Sequence, residues 1–416
     1  MSKIGQFESN KSWQRVLPEE KKFIERVSTD YLLSYQDIKQ LIDITLDLEA
    51  WDEGNLKTIW PDVSDSKLKN KELKTYIMGQ IKKSWNRLKL EPTDYKGFKP
   101  KSDFKKDDIK FEDINEDRTI LGDCPVASEK TRCCNLKTLD SVINCGFDCS
   151  YCTIQSFYKG GKVLFEKKLE EKLEKIELDP KKRYHIGTGQ SSDSLMWGNR
   201  ENNLKLLFDF AKKNKNVILE LKTKSSNIDY ILENDVPPNI ICTWSLNTTT
   251  IIQNEEHLTA TLEERLISAK EVQEKGVLIG FHFHPMVYYK GWEDEYKELA
   301  NNIIEMFDPK RTALISIGTL TFIKPVIKQI RERDFRTKIL QIPLEDAEGK
   351  QSYTYDIKKK MFSTLYKSFK PWHKEVFFYM CMEDKNLWMD VFNREYKDNK
   401  EFEDDMINSY FTKIQY

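Results

Sequence analysis

The sequence predicts an α/β fold built around a partial barrel of parallel strands, preceded by a helical appendage. Three observations support this prediction. The chain has 416 residues, which suits one large domain with an appendage, or two to three ordinary domains. Hydrophobic residues make up 39% and aromatic residues 12% of the chain, which is enough to bury a core. After residue 119, short β-rich runs alternate with segments of helical period, as β/α units do.

Residues 1–100 are rich in lysine and tryptophan and are expected to form the helical appendage. Ser34 and Asp37 have the spacing of a capping box, and an apolar run of helical period follows them. A second helical stretch runs through residues 73–85 and is expected to end before Pro92.

Residues 101–118 are dense in charges of both signs, show no apolar face and are interpreted as a linker. The β-rich runs after it lie at 139–144, 183–187, 217–222, 239–246, 277–284, 312–318 and 376–380. The segments of helical period between them include 164–175, 200–213, 261–274 and 293–306. Six such units predict a partial (β/α)6 barrel of the TIM type over residues 119–335, with its active site at the carboxyl ends of the strands. Residues 336–416 are expected to form a C-terminal α/β extension.

The charge balance limits how the protein can bind its partners. Lys and Arg number 67 and Asp and Glu 68, so the formal net charge is −1, which argues against binding to nucleic acid mainly by bulk charge. Two stretches, 82–89 and 367–374, mix basic and aromatic residues, and each is interpreted either as a nucleic-acid contact or as a solvated helix face with a buried aromatic. No run approaches the ~18 apolar residues that cross a bilayer, and no secretion signal opens the sequence, so a cytoplasmic protein without membrane contact is expected.

Cysteine usage gives the strongest indication of chemistry. Six of the eight cysteines lie between residues 124 and 152, and such clustering in a large cytosolic protein indicates metal ligation or redox chemistry before structural disulfides. Cys145, Cys149 and Cys152 share one loop directly after a predicted strand. Three thiolates at this C-x3-C-x2-C spacing can hold three irons of a [4Fe–4S] cube. The fourth iron then stays open to a small molecule, as a catalytic metal centre requires.

A structural zinc site is the alternative interpretation of the same loop. Such a site usually needs paired C-x2-C knuckles and a fourth ligand, and no histidine lies within thirty residues of Cys149. Cys124, Cys133 and Cys134 precede the loop and are interpreted either as a second metal site or as packing thiols. Cys242 lies in an apolar run and is expected in the core.

The cysteine loop, with Tyr151 before its third cysteine, resembles the radical S-adenosylmethionine (SAM) superfamily. Motifs near later predicted strands resemble one branch of it, the spore photoproduct lyase family, also labelled DNA repair photolyase-like. These motifs are at 187–195, 220–225, 244–248, 280–285, 316–320 and 379–383. The resemblance covers roughly residues 119–395. It implies a reduced cluster that passes an electron to bound SAM, and a 5′-deoxyadenosyl radical that takes a hydrogen from the substrate.

The resemblance also implies which residues contact SAM: Tyr151, Gln190, Ser192, Lys224, Ser245 and Asn247. Lys224 can pair with the methionyl carboxylate, and Gly187 and Gly189 permit close backbone approach. His282 and His284 alternate on one predicted strand and face the same side. They raise a rival interpretation as a metal-dependent hydrolase, which five histidines in the whole chain support poorly. His284 is expected to line the SAM or substrate pocket.

Two positions depart from the family pattern. Gln190 stands where authentic spore photoproduct lyases have the cysteine that returns a hydrogen to the product radical. Thr153 stands where they have an aromatic residue. Cys381, at the end of a predicted strand, is the candidate replacement for the hydrogen donor.

The expected function is a radical SAM enzyme with a [4Fe–4S] cluster, acting in repair of UV-damaged DNA. Flavodoxin or ferredoxin is the expected kind of electron donor. One alternative is a radical SAM enzyme that acts on a peptide, RNA or a metabolite. The other is a non-enzymatic, metal-stabilised nucleic-acid-binding protein.

Overall fold

The computed structural model describes residues 3–102, 109–114, 116–124, 131–153, 162–347, 349–381 and 383–414. The helices are α1 Lys11–Arg15, α2 Pro18–Asp30, α3 Tyr35–Trp51, α4 Leu56–Ile59, α5 Asn70–Leu90, α6 Leu169–Glu174, α7 Asn203–Lys213, α8 Asp229–Glu233, α9 Thr249–Glu255, α10 Leu262–Glu274, α11 Trp292–Met306, α12 Lys324–Glu332, α13 Tyr355–Ser368, α14 Lys385–Phe392 and α15 Asn399–Phe411. The strands are β1 Lys110–Ile114, β2 Leu121–Asp123, β3 Lys137–Leu139, β4 Val142–Ile143, β5 Asp148–Cys149, β6 Lys162–Glu166, β7 Tyr184–Thr188, β8 Val217–Thr223, β9 Ile240–Ser245, β10 Glu256–His257, β11 Leu278–Met286, β12 Thr312–Thr319, β13 Thr321–Phe322, β14 Leu344–Ala347, β15 Lys350–Tyr353 and β16 Phe377–Met380.

The main sheet has eight strands in the order β16-β12-β11-β9-β8-β7-β3-β2. All neighbours in it are parallel except β2 and β3, which are antiparallel. Every residue of β9 and of β12 is buried, as expected where helices cover both faces of a parallel sheet. The predicted α/β partial barrel is therefore confirmed. The carboxyl ends of its parallel strands share one edge of the sheet.

The predicted strand at 139–144 is wrong in its bounds, because two short strands of different sheets replace it. β3 pairs with β7 in the main sheet, whereas β4 pairs with β6 in a separate three-stranded sheet. Between them the backbone N–H of Asp140 donates to the Ile120 carbonyl, and the Ser141 carbonyl accepts from Glu166. The chain therefore leaves the main sheet at Asp140, just before the cysteine loop.

The prediction of a helix at 164–175 is wrong in its first half. The apolar run from Val163 to Phe165 forms strand β6, which pairs with β1 on one side and β4 on the other, and α6 begins only at Leu169. The charged segment 101–118, predicted as a linker, contains strand β1. Charged side chains of β1 form ion pairs with the neighbouring strand β6, for example Glu112 with Lys162 at 2.5 Å.

The five N-terminal helices enclose a hydrophobic core of their own. The predicted capping box opens α3: the Ser34 hydroxyl accepts from the Asp37 N–H at 3.2 Å, and the Asp37 carboxylate accepts from the Ser34 N–H at 2.8 Å. Asp47 of α3 binds Arg331 of α12 through two hydrogen bonds of 2.8 Å, which join these helices to the barrel. Among the described residues, none of the helices has the length and apolar character needed to cross a membrane.

β16 lies within the predicted C-terminal extension and yet forms the edge of the main sheet. Part of residues 336–416 therefore belongs to the barrel. The division of the chain into domains at residues 100, 118 and 335 remains a prediction.

Candidate active site

The cysteine loop lies at the carboxyl edge of the main sheet, where β5 pairs with β10. In that pair Cys149 lies opposite Glu256, and β10 directly follows α9, the helix after β9. The backbone N–H of Ser150 donates to the Glu255 carbonyl at 2.9 Å, and the Ser150 hydroxyl donates to the Glu255 carboxylate. The chain that follows β9 therefore fixes the position of the loop.

Glu255 is fully buried and receives hydrogen bonds from distant segments. Its carboxylate accepts from the Tyr95 hydroxyl at 2.8 Å, from the Lys338 N–H at 3.0 Å and from the Thr337 hydroxyl. Burial raises the pKa of Glu255, although these hydrogen bonds oppose the shift. The support of the cysteine loop thus includes the chain that follows α5 and the chain that follows α12.

The three loop cysteines lie close enough to influence the ionisation of one another. Cys149 is buried, whereas Cys145 and Cys152 are half-buried. Burial raises the pKa of Cys145 and of Cys149, and the neighbouring loop thiols raise both pKa values further. A neutral thiol is therefore the stable form at these positions until a metal ion replaces its proton.

The donor set of the cysteine loop consists of three thiols. Among the described residues, no three His, Cys, Asp or Glu side chains are grouped so that they could hold one metal ion. The ligands of one ion must meet at one point, whereas three thiolates of a cube bind three different irons and lie around its edge. Three neighbouring thiols of one short loop therefore fit a [4Fe–4S] cube.

Gly146, between the first two loop cysteines, is packed tightly from outside. A Cβ at this position would lie 2.6 Å from Trp197, 2.7 Å from Met196 and 3.0 Å from Ile109. No side chain fits there unless these neighbours move. The loop after β7 and the residue before β1 therefore press directly on the cysteine loop.

A buried group of opposite charges lies beside the cysteine loop. Lys224, the residue after β8, donates to Glu256 at 3.1 Å and to the Tyr151 hydroxyl at 2.9 Å. Arg265 of α10 donates to the other Glu256 oxygen at 2.7 Å and to the Ser245 carbonyl at 2.8 Å. Burial alone would raise the pKa of Glu256, but the two neighbouring cations lower this pKa to about 2. Glu256 is therefore an anion at neutral pH.

The loop after β7 folds around Asp193. The Asp193 carboxylate accepts from the Thr223 hydroxyl at 2.7 Å and from the Lys224 N–H at 2.7 Å. Gly189, with a φ of 84°, passes so close to β8 that a Cβ would lie 2.6 Å from the Lys222 carbonyl oxygen. Only glycine allows this combination of backbone conformation and close approach.

Three further residues predicted at the site lie in or after β7. Gly187 lies within the strand and is buried, and Gln190 is half-buried in the loop that follows. The Ser192 hydroxyl donates at 2.7 Å to the carbonyl of Asn144, the residue before the first loop cysteine. Ser192 therefore connects the loop after β7 to the cysteine loop.

Ser245 and Asn247 are buried at the end of β9. The Asn247 amide donates to the Pro285 carbonyl at 2.9 Å, and its oxygen accepts from the Tyr296 hydroxyl at 2.6 Å. These bonds connect the end of β9 to β11 and α11. They also occupy the polar atoms of Asn247 within the protein.

His282 is a buried histidine with both ring nitrogens occupied. Its Nε2 lies 2.6 Å from Glu220, and its Nδ1 lies 2.5 Å from the Ser316 hydroxyl. Burial and the charge of Lys222 lower the pKa of His282 to about 4, although Glu220 opposes the shift. Neutral His282 therefore donates to Glu220 and accepts from Ser316, so it is not available as a metal ligand with His284.

His284 is half-buried and lies against Gly318 of β12. A Cβ at Gly318 would overlap the His284 ring, so the ring occupies the space that a side chain would fill. Burial, followed by the charge of Lys222, lowers the pKa of His284 well below its usual value. His284 is therefore a neutral imidazole at neutral pH.

Cys381 follows β16 and is half-buried. Burial raises its pKa, and so do the nearby thiols of Cys133 and Cys124. Cys134 is buried beside Cys133 and forms a side-chain hydrogen bond with it. None of these four cysteines forms a disulfide, and they lie in one region of the molecule. Cys242 is fully buried in β9, as predicted.

Sequence reasoning missed three charged residues that organise the site: Glu255, Glu256 and Arg265. The only signal was a pair of adjacent glutamates, which is usual on exposed helix ends. Their role depends on the pairing of β10 with β5, and two strands of two residues each leave no periodic pattern to detect.

Comparison with known proteins identifies the family. The family model described as spore photoproduct lyase matches residues 143–371, which is more than half of the chain. The chain belongs to the spore photoproduct lyase family. The match to that family begins two residues before the cysteine loop and does not include the five N-terminal helices.

Curated spore photoproduct lyases are similar over shorter stretches. The one from Clostridium acetobutylicum is 29% identical over 179 residues, which are 41% of this chain and 53% of that protein. The one from Bacillus subtilis is 25% identical over 123 residues, which are 29% of this chain and 36% of that protein. The chain therefore spans about half the length, or less, of these relatives.

Solved structures of spore photoproduct lyase share the fold. A mutant with dinucleoside spore photoproduct aligns with a TM-score of 0.56 and 19% identity over 65% of this chain and 81% of that chain. A mutant with bound AdoMet and dinucleoside spore photoproduct aligns with a TM-score of 0.55 and 17% identity over the same shares. At this identity the alignments show a common fold.

Proposed function

We propose that the protein is a radical SAM enzyme that binds a [4Fe–4S] cluster and SAM and abstracts a hydrogen atom from UV-damaged DNA. One observation carries the proposal: the three-cysteine loop lies at the carboxyl edge of the barrel, beside the buried group of Lys224, Glu256 and Arg265. Membership of the family, whose curated relatives are named spore photoproduct lyase, supports damaged DNA as the substrate.

In this proposal Cys145, Cys149 and Cys152 hold three irons and leave the fourth open to SAM. When bound, the cluster and SAM supply the one-electron chemistry that yields a 5′-deoxyadenosyl radical. The protein positions these groups and excludes water from them. Glu255 contributes by holding Ser150, and the packing around Gly146 prevents the loop from moving outward.

The proposed SAM pocket is lined by Tyr151, Gly187, Gly189, Gln190, Ser192, Lys224, Ser245, Asn247 and His284. The methionyl carboxylate would bind Lys224, whose ammonium is directed toward the loop by Glu256 and Tyr151. Neutral His284 offers a ring nitrogen to a ligand. Asn247 would act by holding β9 to β11, because its polar atoms are already bonded within the protein.

Cys381 is the proposed hydrogen donor, since the Gln190 side chain has no hydrogen that a carbon radical readily abstracts. The S–H bond of Cys381 would break as a C–H bond forms on the product radical, leaving a sulfur radical. One electron from the proposed electron donor and a proton would then return that radical to a thiol, and 5′-deoxyadenosine would leave as a product. The proposed electron donor is a flavodoxin or ferredoxin, and the proposed location is the cytoplasm without membrane contact.

The test is release of 5′-deoxyadenosine from SAM by the anaerobically reconstituted, reduced protein. We expect release to rise when dinucleoside spore photoproduct or UV-irradiated duplex is added, and repaired thymine to form. Cys149→Ala should abolish release and lower the iron content, whereas the matched control Cys242→Ala, in the core of β9, should keep its iron. Release that is indifferent to damaged DNA would contradict the proposed substrate. No release from an iron-replete protein would contradict the SAM assignment.

A further inference from the structure

Positive charge is concentrated in one short part of the chain. Residues 67–89 contain eight basic residues and a single acid, Glu72, although the whole chain has a net charge of −1. This segment consists of helix α5 and the three residues before it. It lies outside residues 143–371, which match the family model, so the proposed reaction does not explain it.

Two of the eight cations are used inside the protein. Lys74 forms an ion pair with Asp37 at 3.1 Å, and the Lys89 ammonium lies 3.3 Å from the centre of the Trp85 ring. The other six have exposed side chains that form no hydrogen bond or ion pair with another described residue: Lys67, Lys69, Lys71, Lys82, Lys83 and Arg87.

The cations on α5 lie on one side of the helix. At 100° per residue, Lys71, Lys82, Lys83 and Arg87 fall within one half of the circumference. The buried residues Ile77, Met78 and Ile81 fall on the other half, against the N-terminal core. From Lys71 to Arg87 these cations span about 24 Å along the helix axis.

Other surface helices neutralise some of their lysines locally. Each of four such helices carries an ion pair between residues four apart: Lys175 with Glu171, Lys205 with Asp209, Lys297 with Glu293, and Lys400 with Asp404. No acid stands four residues from Lys71, Lys82 or Lys83, and Lys83 and Arg87 are themselves four residues apart. Glu91, four residues after Arg87, follows the helix. Like charges at this spacing destabilise a helix, so α5 carries a cost that a bound polyanion would relieve.

Of the two aromatic residues on α5, Trp85 faces inward and Tyr76 is 41% exposed. Trp85 is half-buried, its Nε1–H donates to Asp47 at 3.1 Å, and Lys89 covers its ring. At 100° per residue Tyr76 lies among these cations, and its hydroxyl can donate to a phosphate oxygen. Such a face suits the phosphate backbone of a duplex, which is bound without regard to sequence.

The chain after α5 connects this helix to the candidate active site. Tyr95 donates to Glu255 at 2.8 Å, and Glu255 holds Ser150 of the cysteine loop. Asp47, which binds Trp85, also binds Arg331 of the barrel. These contacts fix α5 relative to the site, so a duplex bound along α5 would be held in a defined position relative to the cysteine loop.

We propose that the basic face of α5 is a docking surface for the phosphate backbone of the duplex DNA that carries the lesion. The choice of DNA as the polyanion rests on the proposed function. The charge, exposure and arrangement of the face do not depend on it. The N-terminal helices would then supply affinity for undamaged flanking DNA.

The test compares two variants with the same change in charge. One is K71Q/K82Q/K83Q/R87Q, and the control K175Q/K205Q/K297Q/K400Q removes four paired lysines on other helices. Binding of an undamaged 30-base-pair duplex is measured by fluorescence anisotropy at several salt concentrations. We expect the α5 variant to bind at least about tenfold more weakly and its salt slope to fall by about 0.9 for each phosphate that is no longer neutralised. The control should bind like the wild type.

Equal weakening in both variants would show an effect of bulk charge and overturn the proposal, as would unchanged binding by the α5 variant. If the α5 variant lost binding only to phosphatidylserine vesicles and kept its duplex affinity, the face would be a membrane surface and the proposal would be wrong. Thermal unfolding verifies that both variants are folded. The proposed function is tested separately by wild-type turnover of dinucleoside spore photoproduct, which has no flanking duplex. Failure of that turnover together with loss of duplex binding in the α5 variant would refute the function and keep the docking surface.

Discussion

At Glu256 two cations from different elements meet one carboxylate: Lys224 after β8 and Arg265 of α10. All three side chains are buried or nearly so. Removal of one member of such a group leaves the others desolvated and unpaired, which costs more than the group contributes as a whole. The stability of the fold and the orientation of the Lys224 side chain therefore both depend on the Glu256 carboxylate.

We expect Glu256→Gln to lower the free energy of unfolding by about 3 kcal/mol at pH 7. The folded-state pKa of Glu256, about 2, lies below its ordinary value of 4.5, so the wild type should lose this stability as the pH falls from 4.5 toward 2. Urea unfolding at pH 7, 4.5 and 3 measures both effects, and the variant should show a shallower loss. In the control Glu255→Gln the replaced carboxyl has a raised pKa, so this variant should still lose stability as the pH falls, as the wild type does. A steep acid loss in Glu256→Gln would contradict the assignment.

If Cys381 is the hydrogen donor, its loss should affect the two products of the reaction, 5′-deoxyadenosine and repaired thymine, differently. We expect Cys381→Ala to release 5′-deoxyadenosine at close to the wild-type rate but to form at least about tenfold less repaired thymine, since the substrate radical would lack its hydrogen donor. Both products can be measured by chromatography after a reaction with dinucleoside spore photoproduct. Cys242→Ala serves as the control, because that thiol is buried in the core of β9. Equal yields of repaired thymine in the two variants would exclude Cys381 as the donor.

At the scale of elements, the cysteine loop has little secondary structure of its own and depends on its neighbours. Strand β5 has two residues, and its partner β10 has two as well. Packing on Gly146 and the hydrogen bonds of Ser150 hold the rest. Disturbing this packing should therefore displace the thiols without removing any of them.

We expect Gly146→Ala to bind less than half of the wild-type iron after reconstitution, because its Cβ would overlap Trp197 and Met196. Iron and acid-labile sulfide per chain are the measurements. Gly122→Ala in β2 is a matched control, since its Cβ would come no closer than 3.9 Å to the Thr138 hydroxyl. A full cluster in Gly146→Ala would show that the loop can move outward at no cost.

The sequence was sufficient where local chemistry decides the structure. The capping box of Ser34 and Asp37 opens α3 as predicted, and the strand runs that became β7, β8, β9, β11 and β12 were each placed to within two residues at either end. It was insufficient where a short apolar run has no decisive period. Val163 to Phe165 suits a helix or a strand equally, and the pairing with β1 and β4 decides for the strand. The motifs could be located on strands, but the contacts of Glu255 and Glu256 join residues far apart in the sequence.

At the scale of the whole molecule, the N-terminal helices and the barrel meet at Asp47. This carboxylate accepts from Arg331 of the barrel and from Trp85 of α5, and it is almost fully buried. Its neighbour Asp43 is half-exposed and lies 3.6 Å from the same guanidinium. The two acids thus provide a strong and a weak contact to one arginine.

We expect Asp47→Asn to destabilise the junction by about 3 kcal/mol, because Arg331 would remain buried without a full counter-charge. The N-terminal helices should then unfold before the barrel and give a second thermal transition in calorimetry. Asp43→Asn, the matched control, should cost less than about 1 kcal/mol, since it removes a long and partly solvated ion pair. A single unchanged transition in Asp47→Asn would mean that apolar packing alone joins the two parts.

The buried carboxylate of Glu255 has a consequence for the order of events during synthesis. It collects Tyr95, Ser150 and Thr337, which are up to 242 positions apart along the chain. Contacts of such long range form late, because the intervening chain must first be closed. When Cys152 has just emerged from the ribosome, Glu255 and Thr337, which hold the cysteine loop in place, have not yet been translated. Iron insertion would therefore follow translation of the barrel, and a stalled, shortened polypeptide would remain without iron.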